Sequence, residues 1–280
     1  MERKPEWLNK KIDLKTCNTL RRLLRDLKLH TICEEAFCPN ISECFSKGTA
    51  TFLILGNICT RNCAFCGVRK GKPSGVDEEE PERVAEAVKR LNLRYAVITS
   101  VTRDDLDDGG AEQFVRTILK IREKSEKTKI EVLIPDFGGN EKSVEKIVEA
   151  KPDVIGHNIE TVPRLYPVIR PKANYSVSLN ILKMVKKMDS SIYTKSGLIL
   201  GFGEKEEEVI DVLKSLREVN CDFLSLGQYL PPRINSYPVK EYIHPDKFDY
   251  YKNIALSSGF LHVESGPYVR SSYLAEQYLK

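Results

Sequence analysis

From about residue 50 the chain alternates short apolar, β-branched runs with longer amphipathic stretches, at an interval of roughly 30 residues. That rhythm belongs to βα units around a parallel sheet, where a strand covered on both faces is apolar throughout and its covering helix is apolar on one side. The pattern predicts strands at 50–56, 94–100, 130–135, 153–158, 193–200 and 222–228. Helices are predicted near 80–91, 110–125, 141–150, 174–189 and 204–219. Several of these open with acidic residues, which the helix dipole favours in the first turn. Glu78-Glu79-Glu80 and Glu206-Glu207-Glu208 therefore read as solvated helix starts rather than metal ligands. Upstream, residues 14–29 are helix-like; downstream, Pro231, Pro232, Pro238 and Pro245 break the rhythm before a helix near 246–257, a strand-like Leu-His-Val-Glu-Ser and a polar tail.

Six βα units are too few for a closed eight-fold barrel, so the predicted class is α/β, a partial (β/α)6 TIM-like barrel with N-terminal and C-terminal extensions. The expected division is an extension over 1–48, the partial barrel over 49–230 and a C-terminal extension over 231–280. No low-complexity linker separates them, so they are expected to form one compact domain. Folds of this kind carry their reactive groups on loops after the strand C-termini.

Composition narrows the function. The 280 residues carry 44 basic and 40 acidic side chains, a net +4, with no long Lys/Arg block. A dedicated nucleic-acid surface is not expected, although a local basic patch for an acidic partner is compatible with this balance. No apolar run approaches the ~20 residues that span a bilayer. The start, MERKPEWLNKK, lacks an apolar signal segment. A soluble cytoplasmic protein is expected, where thiols stay reduced.

Six of the eight cysteines lie in one early stretch, as Cys33, Cys38 and Cys44 and then Cys59, Cys63 and Cys66. Disulfides do not suit a chain with no export signal. Structural zinc usually takes paired C-x2-4-C knuckles, and only Cys63 and Cys66 form one. The C-x3-C-x2-C spacing of the second triplet closes three thiolates around one 4Fe-4S cluster and leaves an iron without a protein ligand. The first triplet, C-x4-C-x5-C, implies a second cluster that is also one cysteine short. Cys17 and Cys221 read as packing residues. His30, His157, His244 and His262 are scattered without a zinc pair, and Asp104, Asp105, Asp107 and Asp108 read as organisers of the turn before Gly109-Gly110 rather than a calcium loop.

The triplet Cys59-Thr-Arg-Asn-Cys63-Ala-Phe-Cys66, placed after the first strand of a partial barrel, resembles the radical S-adenosylmethionine (SAM) enzymes. The resemblance narrows to the lipoyl synthase family through six motifs in order: CEEAFCPNISECF at 33–45, CTRNCAFC at 59–66, TSVTRDDLDDGGA at 99–111, HNIETVPRL at 157–165, KSGLILGFGE at 195–204 and RSSY at 270–273. It implies a sulfurtransferase that inserts two sulfur atoms at C6 and C8 of an octanoyl chain amide-linked to a lysine of a carrier protein. One SAM is used per carbon, a carbon radical removes hydrogen from the unactivated C–H bond, and a sulfide of the auxiliary 4Fe-4S cluster captures the substrate radical.

The resemblance also implies residue roles. Cys59, Cys63 and Cys66 hold the radical SAM cluster; Cys33, Cys38 and Cys44 hold the auxiliary cluster, with Ser272 as its fourth ligand and Ser271 as the alternative. A serine oxygen is a harder ligand than thiolate and suits a cluster that gives up sulfide. Read alone, Ser271-Ser272 would be a helix N-cap before Leu274-Ala275-Glu276. Thr99 and Ser100 fall beside the SAM amino group, Asn158 and Glu160 near the ribose or sulfonium, Arg170 at the carboxylate, and Gly201 and Gly203 along the adenine. The expected partners are an octanoylated glycine-cleavage H protein or 2-oxoacid dehydrogenase E2 domain, with Arg270 among the basic residues facing it, a ferredoxin or flavodoxin as low-potential donor, and an iron-sulfur carrier for cluster repair. Two other readings fit parts of the pattern: a radical SAM methylthiotransferase acting on tRNA, which would carry an added basic domain, and a zinc-stabilised binding module, which would be colourless.

Overall fold

In a computed structural model of the chain, residues 4–10, 13 and 15–279 are described. The chain divides into two compact units: an N-terminal unit of Lys11–Arg61 and Gly67–Val154, and a C-terminal unit of Met1–Lys10, Asn62–Cys66 and Ile155–Lys280.

The N-terminal unit begins with α1 (Asn18–Asp26), β1 (His30–Thr31), α2 (Ile32–Glu35) and α3 (Ile41–Ser46). It continues through β2 (Thr51–Ile54), β3 (Ile58–Cys59), β4 (Arg69–Lys70), α4 (Glu80–Arg90), β5 (Tyr95–Ser100), α5 (Ala111–Lys124), β6 (Lys129–Leu133) and α6 (Glu141–Glu149), and the division between the units falls within the next strand, β7 (Val154–Gly156). Strands β2, β5 and β6 pair in parallel. β1 adds an antiparallel edge, with His30 opposite Leu53 and Thr31 opposite Phe52. All four residues of β2 are buried, which is why its sequence lacks a polar face. Over this sheet α4 buries Val84, Ala85 and Val88, and α5 buries Phe114, Ile118 and Ile121. Asn140 caps α6 by accepting from the Lys142 and Ser143 amides.

One expectation fails here. Glu80 is not a solvated helix start: it is 4% exposed, accepts from the Leu55 amide at 2.8 Å and from Gln113 Nε2 at 3.0 Å. Its carboxylate satisfies the amide at the end of β2, a backbone group that would otherwise be buried without a partner. Burial pushes the Glu80 carboxyl up, against those hydrogen bonds.

The C-terminal unit adds α7 (Tyr166–Ile169), α8 (Tyr175–Met188), β8 (Tyr193–Leu200), α9 (Glu206–Glu218), β9 (Phe223–Gln228), α10 (Pro245–Ser257) and β10 (His262–Gly266). β8 and β9 pair in parallel, and β10 extends the ladder beyond β9. The strand-like segment expected to wrap the end of the chain is therefore a parallel sheet strand. Leu198, Leu200, Leu224 and Leu226 from the strands meet Val209, Val212, Leu213 and Leu216 of α9, with Phe248 and Tyr251 of α10. Truncating a fully buried leucine such as Leu224 to alanine costs about 2–5 kcal/mol. Two pieces distant in sequence complete this unit. Leu8 is fully buried and Trp7 sits edge-on to His244 at 5.0 Å. The C-terminal segment lies against β8 and β9: a side chain at Gly227 would collide with the Val269 carbonyl, and one at Gly197 with Ser225 Oγ, Asn158 Oδ1 and Ser271 Oγ. Tyr278 then packs on Phe223 and His262, beneath the Lys195 ammonium at 3.8 Å. Among the described residues no helix is long and apolar enough to cross a membrane.

Candidate functional site

The first cysteine triplet lies wholly in the N-terminal unit. Cys33 is on α2, whose N-cap Thr31 accepts from the Glu34 amide. The Cys38 amide then closes a turn onto the Cys33 carbonyl at 3.0 Å, with Phe37 in the left-handed region at φ 54. Cys44 follows on α3, its amide donating to Asn40 O at 2.9 Å and its carbonyl accepting from Thr49 N at 3.0 Å. Burial pushes the Cys33 thiol far up, and the neighbouring Cys38 and Cys44 thiols add to this. Cys33 lies close enough to Cys38 and to Cys44 to feel both, and three soft sulfur donors suit an iron-sulfur cluster, although among the described residues no three ligating side chains are already drawn together around a metal position. No disulfide joins any of the eight cysteines. Cys17 and Cys221 are fully buried packing residues, as their positions imply, and burial pushes the Cys221 thiol up to about 12.

Cys59 ends β3, and its carbonyl accepts from Gly71 N at 3.0 Å. Its Sγ accepts the Arg61 amide at 3.4 Å. Thr60 bonds the loop after β5 twice, through its amide to Thr102 O and its hydroxyl to Asp104 Oδ2. Arg61 is 8% exposed and is gripped by two carboxylates, Asp104 and Asp136. Burial works against its charge, and the two carboxylates more than reverse that, raising its pKa. Asp104, in turn, is held below the usual carboxylate range: burial opposes ionisation, but the Arg61 and Thr60 bonds outweigh it. This corrects the reading of the Asp104–Asp108 run. Asp108 does organise the turn, accepting from the Gly110 and Glu112 amides, whereas Asp104 serves Arg61 and Asp105 pairs with Arg103.

Cys63 and Cys66 belong to the short segment grouped with the C-terminal unit. The Cys66 amide donates to Cys63 O at 3.3 Å, while Ala64 N donates to Ile169 O at 2.9 Å. Phe65 packs on the apolar core there, 6.3 Å from Phe202.

The residues expected at SAM fall at strand ends. In the N-terminal unit Thr99 spends its hydroxyl on Leu133 O at 2.9 Å, a strand-to-strand bond. Its neighbour Ser100, the last residue of β5, has a buried Oγ with no protein partner, a donor in need of an acceptor. In the C-terminal unit Asn158 donates to Glu160 Oε1 at 3.1 Å and to Ser271 Oγ at 2.5 Å. Glu160 sits in the left-handed region at φ 68, and both its backbone groups bond β8, to Gly197 O and from Ile199 N. A non-glycine residue held there by two strand bonds is a constrained position of the kind that clusters at ligand sites. Burial pushes the Glu160 carboxyl up, while the Arg170 cation, the Asn158 amide and Arg270 draw it down. Arg170 turns Nη1 onto the carbonyls of Asn158 and Ile159 and the Tyr166 hydroxyl. These bonds brace the loop after β7. His157 is 2% exposed and its amide donates to Lys195 O.

Gly201 has φ 116, and a side chain there would run into Gln228 Nε2 and the Glu241 carbonyl, so the backbone at this point is bare by necessity. Glu204 shapes that turn, accepting from the Gly201 and Phe202 amides at 2.9 and 3.0 Å and from Thr161 at 3.2 Å. The sequence signal for Glu204 was its place at the end of a glycine-rich motif. The signal for Arg61 was only its position between two cysteines. Within the N-terminal unit the three thiols of Cys33, Cys38 and Cys44 fit an iron-sulfur cluster and the partnerless Ser100 oxygen fits a polar cofactor group; within the C-terminal unit the Gly201 backbone stays bare.

Known proteins agree with this chemistry. A family model described as the radical SAM superfamily matches residues 53–216. The chain shares the fold of methylornithine synthase (PylB), with a TM-score of 0.58, 15% identity, and coverage of 89% of this chain and 81% of that one. At that identity the likeness speaks for the fold alone, and it supports the α/β partial-barrel class expected from the sequence. The class is thus a radical SAM enzyme. Two relatives called lipoyl synthase are far closer: that of Caldicellulosiruptor saccharolyticus is 61% identical over 99% of this chain and 98% of its own length. That of Caldanaerobacter subterraneus subsp. tengcongensis is 56% identical over 98% and 96%. The chain belongs to the lipoyl synthase family of radical SAM enzymes, and its cofactors are SAM and 4Fe-4S clusters.

Proposed function

We propose that the chain inserts sulfur at C6 and C8 of an octanoyl group carried on a lysine of a lipoyl carrier protein, with its auxiliary 4Fe-4S cluster as the sulfur donor. The observation that carries this reading is the pair of cysteine triplets in a chain that matches a lipoyl synthase at 61% identity over 99% of its length. The methylthiotransferase and zinc-module readings give way to the same observation. When bound, the radical cluster and SAM supply the hydrogen-abstracting carbon radical that unactivated C–H bonds require.

We assign Cys59, Cys63 and Cys66 to the radical cluster. We assign Cys33, Cys38 and Cys44 to the auxiliary cluster, with Ser272 as the oxygen ligand. Ser271 Oγ accepts a short bond from Asn158, which favours its neighbour for the metal. For SAM we assign Thr99 and Ser100 at the end of β5, Asn158 and Glu160 after β7, Arg170 and Gly201, with Ser100 rather than Thr99 as the hydroxyl donor. The physiological partners proposed are an octanoylated H protein or E2 domain, a ferredoxin or flavodoxin and an iron-sulfur carrier, in the cytoplasm.

The test is anaerobic incubation of reconstituted protein with SAM, dithionite and an octanoyl-lysine peptide, followed by mass spectrometry. Mono- and dithiolated peptide is the expected product. A brown, two-cluster protein that cleaves SAM but leaves the peptide unthiolated would overturn the assignment.

A further inference from the structure

Arg61 stands midway between Cys59 and Cys63, and its side chain makes contacts that cofactor binding does not explain. Nη1 and Nη2 each donate to Asp136 at 2.6 Å, and Nε and Nη2 donate to Asp104 at 3.0 and 2.8 Å. Asp136 is 3% exposed and its Oδ1 also accepts the Gly138 amide at 3.0 Å, so it is fixed by its own turn. Two forked carboxylates on one guanidinium are more than a buried cation needs for neutrality. The arrangement suits orientation, since each fork fixes the plane of the guanidinium. Through Arg61 and Thr60 the two residues that follow Cys59 are tied to the loops after β5 and β6, all within the N-terminal unit. The same backbone presents the Arg61 amide to Cys59 Sγ at 3.4 Å. Hydrogen bonds to cluster sulfurs are one of the levers by which a protein sets cluster potential and retention.

We propose that Asp136, Arg61 and Asp104 form the positioning clamp of the radical cluster, holding the Arg61 N–H on the Cys59 sulfur and so tuning that cluster and not the auxiliary one. The inference rests on Cys59 being a ligand of the radical cluster. None of the three side chains is asked to touch SAM or the octanoyl chain.

The experiment compares full-length wild type with Asp136→Asn and Arg61→Lys, each cluster-free and reconstituted. In the cluster-free proteins, hydrogen–deuterium exchange at the Thr60 and Arg61 amides should quicken about tenfold in both variants, because local opening becomes easier. In the reconstituted proteins, redox titration followed by electron paramagnetic resonance should show a shifted radical-cluster potential beside an unchanged auxiliary-cluster signal. SAM cleavage should fall about 10- to 100-fold. Lysine keeps the charge but not the forks, so full recovery in Arg61→Lys would overturn the clamp. So would folded variants, by far-ultraviolet circular dichroism, with wild-type exchange and potential. If Asp136→Asn does not fold, Asp104→Asn carries the same readouts with smaller shifts, since Asp104 is 40% exposed and its loss leaves the buried fork intact. SAM cleavage by wild type in the same preparation separates failure of the clamp from failure of the function: without it, the cluster assignment itself falls.

Discussion

The turns that carry Cys33, Cys38 and Cys44 close over five residues or fewer, whereas the bonds that fix the backbone after Cys59 reach 43 residues to Asp104 and 75 to Asp136. The first segment is built from two short helices, one of them capped by Thr31, and the backbone turns that carry its cysteines are local ones. The second depends on a buried ion network that exists only once β5 and β6 have paired. This difference matches the proposed fates of the two clusters. A segment that must release and accept a cluster repeatedly benefits from turns that re-form locally. A segment around a permanent cluster benefits from being fixed by the fold.

The sharpest way to break the comparison is to remove one ligand from each segment. Cys63→Ala should lose SAM cleavage and thiolation together, while Cys33→Ala should keep SAM cleavage and lose only sulfur insertion. Liquid chromatography of 5′-deoxyadenosine with mass spectrometry of the peptide reads both, and dithiolated product from Cys33→Ala would remove the sacrificial role. A smaller contrast separates the two serines. Ser272→Ala should lower the iron and sulfide content by the auxiliary cluster's share, whereas Ser271→Ala should retain both clusters and lose about 1–3 kcal/mol from the bond to Asn158, measured by chemical denaturation. Next, Thr31→Ala removes the cap of α2 and should cost about 1 kcal/mol, seen as a lowered thermal midpoint of the cluster-free protein.

The least effect is expected outside both segments, at Asp153. Burial raises its pKa, but Lys129, the Ile130 amide and Arg122 bring it below the usual range. A carboxylate depressed in the folded state adds stability above its unfolded pKa of about 3.9, and that stability is lost as pH falls through the lower folded value. The gap in thermal midpoint between wild type and Asp153→Asn should therefore be constant at neutral pH and close on acidification below about pH 4. A gap that widened there would reverse the sign.

These contrasts also explain what the amino-acid order revealed. The six central strands were legible because strands such as β2, buried at every residue, leave an unbroken apolar run. The cysteine triplets were legible because a cluster's ligands are set by local spacing. β1 was not, since two residues carry no period and its identity comes from pairing with β2. Glu80 looked like any acidic first-turn residue, and only the β2 amide above it shows why it is buried. Asp104 and Asp136 look like ordinary turn residues, and their common partner Arg61 can be found only once two strand ends are brought to the same place.

The bond between Asn158 and Ser271 spans 113 residues, and a side chain at Gly197 would press on both partners. A nascent chain has β7, β8 and β9 in hand long before Ser271 leaves the ribosome, so Arg270-Ser271-Ser272-Tyr273 is laid onto strands already able to pair. A contact of that span must wait for β8 and β9 to pair, which makes the docking of this motif a late step in the folding of the C-terminal unit.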